Sequence, residues 1–372
     1  MKKMIQLAAV AAVASVFAGQ AVARDLTVVS FGGANKEAQV AAFYQPFEKA
    51  TGQKVVGVDY NGEVAKVKAM VEAGKVTWDV VEVESPEVLR GCEEGVYEKI
   101  DPKLIGGKAA FLPGTVSECG VGIFVWSTAI AYNADKLKTG PTSWADFWDV
   151  KKFPGKRGLR KGAKYTLEFA LLADGVKPAD VYKVLGTKAG VDRAFKKLDQ
   201  LKPNIQWWEA GAQPPQFLAS GDVVMSSAYN GRIDAAQKEG KNLKIVWNGS
   251  IWDIDSWVIP KGSPNKEQAL KFVQFASKPE NQKTYSHKIA YGPTNKSAVG
   301  MIDPKVLPTL PTAPANLNGA LGINVQFWVD HGEELEERFN AWPPSKTHAG
   351  RAPGATSCGS RVAGLAGGRC LA

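Results

Sequence analysis

The segment 249–260, GSIWDIDSWVIP, gathers two Trp, two Asp and four aliphatic residues in one short stretch. From Ile251 to Ile259 apolar and polar side chains alternate, which predicts a strand. Asp253 and Asp255 lie two apart and therefore project from one face, with Trp252 and Ile254 on the other. Carboxylates beside indoles fit a site that receives a cation between aromatic walls. A half-buried strand with solvated carboxylates fits the same pattern. Pro260 and Gly262 close the segment.

A second apolar run, GIFVWSTAIAYN at 122–133, is too short to span a bilayer and reads as a long strand that crosses between domains. Ahead of it, strands at 25–30, 54–60 and 78–83 alternate with helices at 36–51, 64–73 and 86–94, several of them stopped by Gly52, Gly74 or Gly95. That alternation predicts an α/β domain with a largely parallel sheet. Ligands of such sheets sit beyond the carboxyl ends of the strands. The rule singles out Phe31-Gly32-Gly33 after the first strand and Glu84-Ser85 after the third. Gly32-Gly33 fits either backbone N–H groups facing a ligand or a plain tight turn, and it is neither a dinucleotide fingerprint nor a P-loop.

Between the two long strands lies another α/β block. It has a helix at 141–150, a basic turn-rich stretch at 151–160, helices at 166–173 and 191–201, and a strand at 205–208. A helix at 214–220 and a strand at 223–228 follow, running into Tyr229-Asn230-Gly231-Arg232 and a helix at 232–239. Helices at 266–277 and 279–288 come after the opening segment, then a strand or turn near 323–327 and an acidic helix at 333–342. Two crossings between two α/β lobes make a hinge with a cleft between the lobes. The expected division is 24–128 with 257–342 in the first lobe and 129–256 in the second.

Composition bounds the function. Lys2 and Lys3, the apolar run 7–17 and Ala21-Val22-Ala23 form a secretory leader cut after Ala23, which implies a periplasmic protein. Residues 343–372 are rich in Gly, Ala, Ser, Pro and Arg, without periodicity, and read as a disordered or aberrant tail. The formal +9 includes the two leader lysines and four tail cations, so the body carries only +3, which leaves no footprint for nucleic acid. In an oxidising compartment Cys92 and Cys119 are a candidate disulfide; two separate buried thiols fit as well. His287, His331 and His348 are scattered, so no metal site and no cofactor is expected. No G-x-S-x-G elbow or nucleotide motif is present, and Asp253 with Asp255 is the one carboxylate pair that glycoside hydrolysis could use, without a second catalytic feature. Aromatics at strand ends, Phe31, Trp208, Tyr229 and Trp257 or Trp252, fit ligand walls or core packing. Arg232, opening a helix, is either a surface residue or a clamp for a ligand carboxylate.

Taken together, VVSFGG, FEKATG, WDVVEVES, VWSTAIAYN, YNGR, WDIDSWVIPKGSPNKEQALKFVQF and YGPTNKSA resemble the periplasmic solute-binding proteins of ABC transporters, and within them the spermidine/putrescine branch. The resemblance covers 25–342 and is most specific from Asp253 to Asn295. It implies a two-lobed Venus-flytrap fold of type II, a small solute held in the cleft, closure of the lobes, and delivery to a permease in the inner membrane, with the binding protein working as a monomer. Asp255 matches the carboxylate that precedes the family's S-x-x-I-P segment and pairs with a ligand ammonium; Tyr229 matches an aromatic before N-G; Phe31 and Ser85 fall in ligand-contacting loops. With Glu84, Asp253, Arg232 and Trp257 these complete the expected ligand set.

Two departures bear on the solute. The second-lobe acidic pair of the polyamine binders is not evident: 160–170 reads RKGAKYTLEFA, with Lys161, Lys164 and only Glu168 acidic. A desolvated Arg232 beside a polyamine would be repulsive. Overall similarity favours a polyamine, while the local chemistry favours an amino-acid-like or opine-like zwitterion.

Overall fold

The computed structural model describes residues 24–342, so the expected leader and tail lie outside the described residues. Eight main strands form one mixed sheet: β1 (Leu26–Ser30), β2 (Val55–Asp59), β3 (Val80–Glu84), β4 (Val121–Asn133), β5 (Arg157–Arg160), β6 (Ile205–Trp208), β7 (Met225–Tyr229) and β8 (Leu243–Val258). Their order is β2-β1-β3-β8-β4-β7-β5-β6. Within each half the pairs β1–β2, β1–β3, β5–β6 and β5–β7 are parallel, as the strand–helix alternation predicts. The central pair β8–β4 runs antiparallel to its partner and to both flanks. These two strands are the crossings.

β4 is buried along nearly its whole length, because helices cover both faces of the sheet; a strand buried on both sides reads as a continuous apolar run rather than an alternation. Its ladder to β8 slips between Thr128 and Ile130, and β7 joins it from Thr128 onward. A second shift in the same ladder lies between Gly122 and Phe124; irregularities of this kind let a strand bend. β8 begins at Leu243, earlier than the expected start at 249, because Leu243–Val246 pairs with Ile130–Asn133. At its far end Asp255–Val258 pairs with Glu84–Val81 of β3.

The core holds two aromatic groups. In the first, Phe43, Phe47, Trp257, Phe272 and Tyr285 pack edge-on or stacked, with centroids 5.3–6.2 Å apart. In the second, Trp144 stacks on Phe169 at 3.7 Å. Each fully buried ring contributes roughly 1.5–3 kcal/mol of hydrophobic free energy. The last helix begins at Val325, not 333, because the Asn324 side chain accepts from Phe327 N and caps it there. This helix links two others: Trp328 O accepts from Arg90 Nη2 of the Ser85–Glu93 helix, and Arg338 pairs with Asp192 of the Lys188–Leu201 helix.

Cys92 and Cys119 form a disulfide with Cα atoms 5.7 Å apart, tying the Ser85–Glu93 helix to the lead into β4. A sequence separation of 27 corresponds to about 3.5 kcal/mol of unfolded-state chain entropy. A Cys92→Ser, Cys119→Ser double variant is expected to unfold at correspondingly lower urea; an unchanged midpoint would contradict this.

Candidate functional site

β3 and β8 lie side by side, and alternation places two acids of each on one face: Glu82 and Glu84 from WDVVEVES, Asp253 and Asp255 from WDIDSW. Glu84 is directly opposite Asp255, and Glu82 opposite Trp257. All four carboxylates are buried. Asp255 Oδ1 accepts from Trp126 Nε1 at 2.6 Å. Glu82 accepts from Asn35 Nδ2 at 2.9 and 3.0 Å and from Gln39 Nε2 at 2.7 Å. Burial, reinforced by the neighbouring carboxylates, raises Asp255 well above the ordinary carboxylate range, and burial also raises Glu82. Burial and the charge of Glu84 push Asp253 up to about 7. Glu84 goes the other way: burial pushes it up, but the Lys164 ammonium and the Arg160 guanidinium outweigh burial and hold it below the usual range.

The opposite wall comes from the second lobe. Arg232 follows β7 at the start of the Asn230–Lys238 helix, and its guanidinium reaches across the cleft. Nη1 donates to Gly32 O at 2.6 Å and Nη2 to Phe31 O at 3.1 Å, while Nε is buried without a partner. A Cβ at Gly33 would stand 2.9 Å from Arg232 Nη1, and Gly32 and Gly33 both have positive φ, 63° and 53°. The glycine pair thus makes room for an arginine from the other lobe, with its carbonyls as the contact. Phe31, tilted on Tyr60 at 4.9 Å, and Tyr229, edge-on to Trp126 at 5.0 Å, provide the aromatic sides. Phe31, Glu82, Glu84, Trp126, Tyr229, Arg232 and Asp255 line one narrow cavity, completed by Asn35, Phe124 and Tyr291.

Beside it a second cluster closes the mouth. Lys164 Nζ lies 2.5 Å from Glu84 Oε2 and 2.7 Å from Glu87 Oε1. Tyr165 Oη is 3.2 Å from Glu84 Oε2 and 3.4 Å from Asp253 Oδ2. Tyr165 holds φ +70°, a costly conformation for an aromatic residue, and it stands where the chain turns from β5 into the Thr166–Ala173 helix. Arg160 lies over the Tyr165 ring at 5.9 Å.

Of the residues expected from sequence, Phe31, Glu84, Tyr229, Arg232 and Asp255 line the cavity together. Asp253 stands behind them, next to Tyr165. Ser85 does not line the cavity: its hydroxyl donates to Ile254 O at 3.0 Å, and the residue borders a separate outer groove. Trp257 belongs to the core, edge-on to Phe43 at 6.2 Å and Phe272 at 5.5 Å, and Trp208 donates from Nε1 to Ser227 Oγ behind Tyr229. Glu168, the one acid of its stretch, is away from the cleft, accepting from Trp328 Nε1 and Tyr182 Oη; burial pushes it up to about 7. Sequence reasoning missed Glu82, Asn35, Trp126, Arg160 and Tyr165. Glu82 had a signal, since it shares the two-residue alternation of Glu84.

Residues 42–313 match the family of bacterial extracellular solute-binding proteins. The chain is 64% identical over 325 residues to the gamma-aminobutyric acid-binding protein of Pseudomonas aeruginosa, covering 87% of this chain and 92% of that one. To the spermidine/putrescine-binding periplasmic protein of Escherichia coli it is 26% identical over 275 residues, covering 70% and 76%. Among solved structures, AgtB of A. tumefaciens R10 in complex with agropinic acid superposes with a TM-score of 0.79 at 36% identity, covering 86% of this chain and 98% of that one. The Atu4243-GABA receptor does so at 0.77 and 37% identity, covering 88% and 100%. The chain belongs to the bacterial extracellular solute-binding proteins, as an ABC-transporter substrate-binding protein of the two-lobed kind and not an enzyme.

Proposed function

We propose that the protein captures a short zwitterion, an ω-amino acid such as γ-aminobutyrate (GABA), in the periplasm and hands it to an inner-membrane ABC permease. The observation that carries this reading is the polarity of the cavity. Both signs of charge line it: the Glu82 and Asp255 carboxyls, and a buried guanidinium with an unused Nε. The ammonium meets the acid pair, the methylenes lie against Phe31 and Tyr229, and the carboxylate meets Arg232. A charge-assisted hydrogen bond to each end contributes roughly 1.5–3 kcal/mol. The GABA-binding protein of P. aeruginosa and the Atu4243-GABA receptor support the same reading.

Polyamine capture, favoured by the sequence resemblance, is now the weaker alternative. Three cations, Arg160, Lys164 and Arg232, border the cleft, and the polyamine binders are the more distant relatives. Closure follows from contacts that need both lobes, Arg232 on the Phe31 and Gly32 carbonyls and Lys164 on Glu84 and Glu87. We also place the crossing on β8 near Ile251 rather than at 256/257, so that Asp253 and Asp255 belong to the first lobe beside β3. The protein acts as a monomer in this scheme.

Calorimetric titration of protein stripped of carried-over solute by unfolding and refolding tests the assignment. GABA is expected to bind with micromolar affinity or better, and putrescine to give no heat. Heat with putrescine and silence with GABA would reverse the assignment.

A further inference from the structure

We propose that Lys164 is a built-in cation that occupies a second ammonium subsite of the cleft and so excludes diamines from it. The inference rests on the zwitterion reading for the first subsite but concerns a different pair of acids. Lys164 comes from the second lobe, and its side chain is only 10% exposed. Its ammonium bridges Glu84, which also lines the ligand cavity, and Glu87 in the first turn of the Ser85–Glu93 helix. The lysine is held in place through its backbone. Glu336 of the last helix accepts from Ala163 N at 3.0 Å and from Lys164 N at 3.1 Å.

A buried ion pair is weak evidence for stability, because desolvation consumes most of its attraction. What the arrangement does achieve is occupancy. Glu84 and Asp255 face each other across an antiparallel pair, with Cβ atoms about 5 Å apart. An ammonium on Asp255 and another on Glu84 are therefore separated by a distance that a four-carbon diamine spans. Lys164 fills the second position with an ammonium of the protein's own. Glu87 Oε2, buried and unpartnered, is a further acceptor at that position. Without Lys164 the buried Glu84 and the half-buried Glu87 lose the ammonium that bridges them, leaving Glu84 only the Arg160 guanidinium, and a ligand ammonium restores the charge balance one for one. Exclusion here works by an introduced repulsion and a filled site rather than by a better contact to the preferred solute.

The test compares 1,4-diaminobutane and GABA by calorimetry on wild-type protein and on Lys164→Ala and Lys164→Gln, each checked for a cooperative thermal melt. The glutamine variant keeps most of the stem and serves where alanine does not fold. The expected result is a gain in diamine affinity of at least tenfold over wild type, abolished by adding Glu87→Gln. A folded variant with no diamine gain overturns the proposal. So does loss of GABA binding without such a gain, which would make Lys164 a carboxylate ligand. Failure of the wild type to bind GABA would remove the zwitterion reading alone, because the diamine comparison is made between wild type and variant.

Discussion

Asp255→Asn is expected to weaken GABA binding by about 10²-fold, equivalent to about 2.7 kcal/mol, while the ligand-free protein melts no lower than wild type. The amide keeps the shape of the carboxyl. Its oxygen still accepts from Trp126 Nε1, and its NH₂ is a donor for the neighbouring Glu82 carboxylate. The negative charge is what disappears. In the ligand-free protein that charge is a burden, since burial and the neighbouring carboxylates Glu82, Glu84 and Asp253 raise Asp255 well above the ordinary carboxylate range. In the complex it faces an ammonium in a desolvated cavity, and truncating one partner of such a pair costs 2–5 kcal/mol or more. Calorimetry and thermal melts of both proteins check the two halves together. An unchanged dissociation constant would remove Asp255 from the site; a weaker complex accompanied by a much lower melt would mark it as structural.

Much of the architecture was legible because its signals are local. GSIWDIDSWVIP and GIFVWSTAIAYN each declare a strand by period or by length, and the glycine stops between the early elements declare the α/β alternation. The antiparallel seating of β8 between β3 and β4 was not legible, since pairing partners separated by more than a hundred residues leave no periodic trace. The same limit runs through the site. Asp255, Tyr229, Phe31, Glu84 and Arg232 follow from strand-end position and from the family pattern. Trp257 shares the face of Asp253 and Asp255 by alternation, and the error lay in treating that face as uniform. Two residues beyond Asp255 it passes under Phe43 and Phe272, so the indole is core while the carboxylate is cleft. Lys164 was legible as an unexpected cation but not as one that reaches Glu84 and Glu87 from the other lobe. Gly32-Gly33 was legible as a special backbone, but its reason, an arginine from 200 residues away, was not.

GABA binding is also expected to release close to one proton and to strengthen with pH, by up to tenfold per unit between about pH 6 and pH 8. The pH window is set by Asp253, whose carboxyl is pushed up to about 7, and the Glu82–Asp255 acids beside it are raised by burial in the same direction. The ligand ammonium favours their ionised forms, so below the free-state pKa it must expel a proton to bind, and affinity falls as pH falls. Glu84 is held below the usual carboxylate range, and Lys164 and Arg160 are raised, so none of them adds a slope in this window. The stability of the ligand-free protein has the opposite sign. Carboxyls whose folded pKa is raised stabilise the fold below their unfolded pKa, near 4, and lose that contribution as pH rises through the folded value. The ligand-free melt therefore drops toward alkaline pH while affinity climbs. Glu168, pushed up to about 7 outside the cleft, adds to the drop in stability in both ligand states, so the difference between free and bound protein isolates the cleft acids. Titrations in buffers of different ionisation enthalpy give the proton count directly. A count of zero with pH-independent affinity would mean that the ammonium does not meet this acid pair, and Asp255→Asn, which carries no proton to expel at that position, is expected to flatten both slopes.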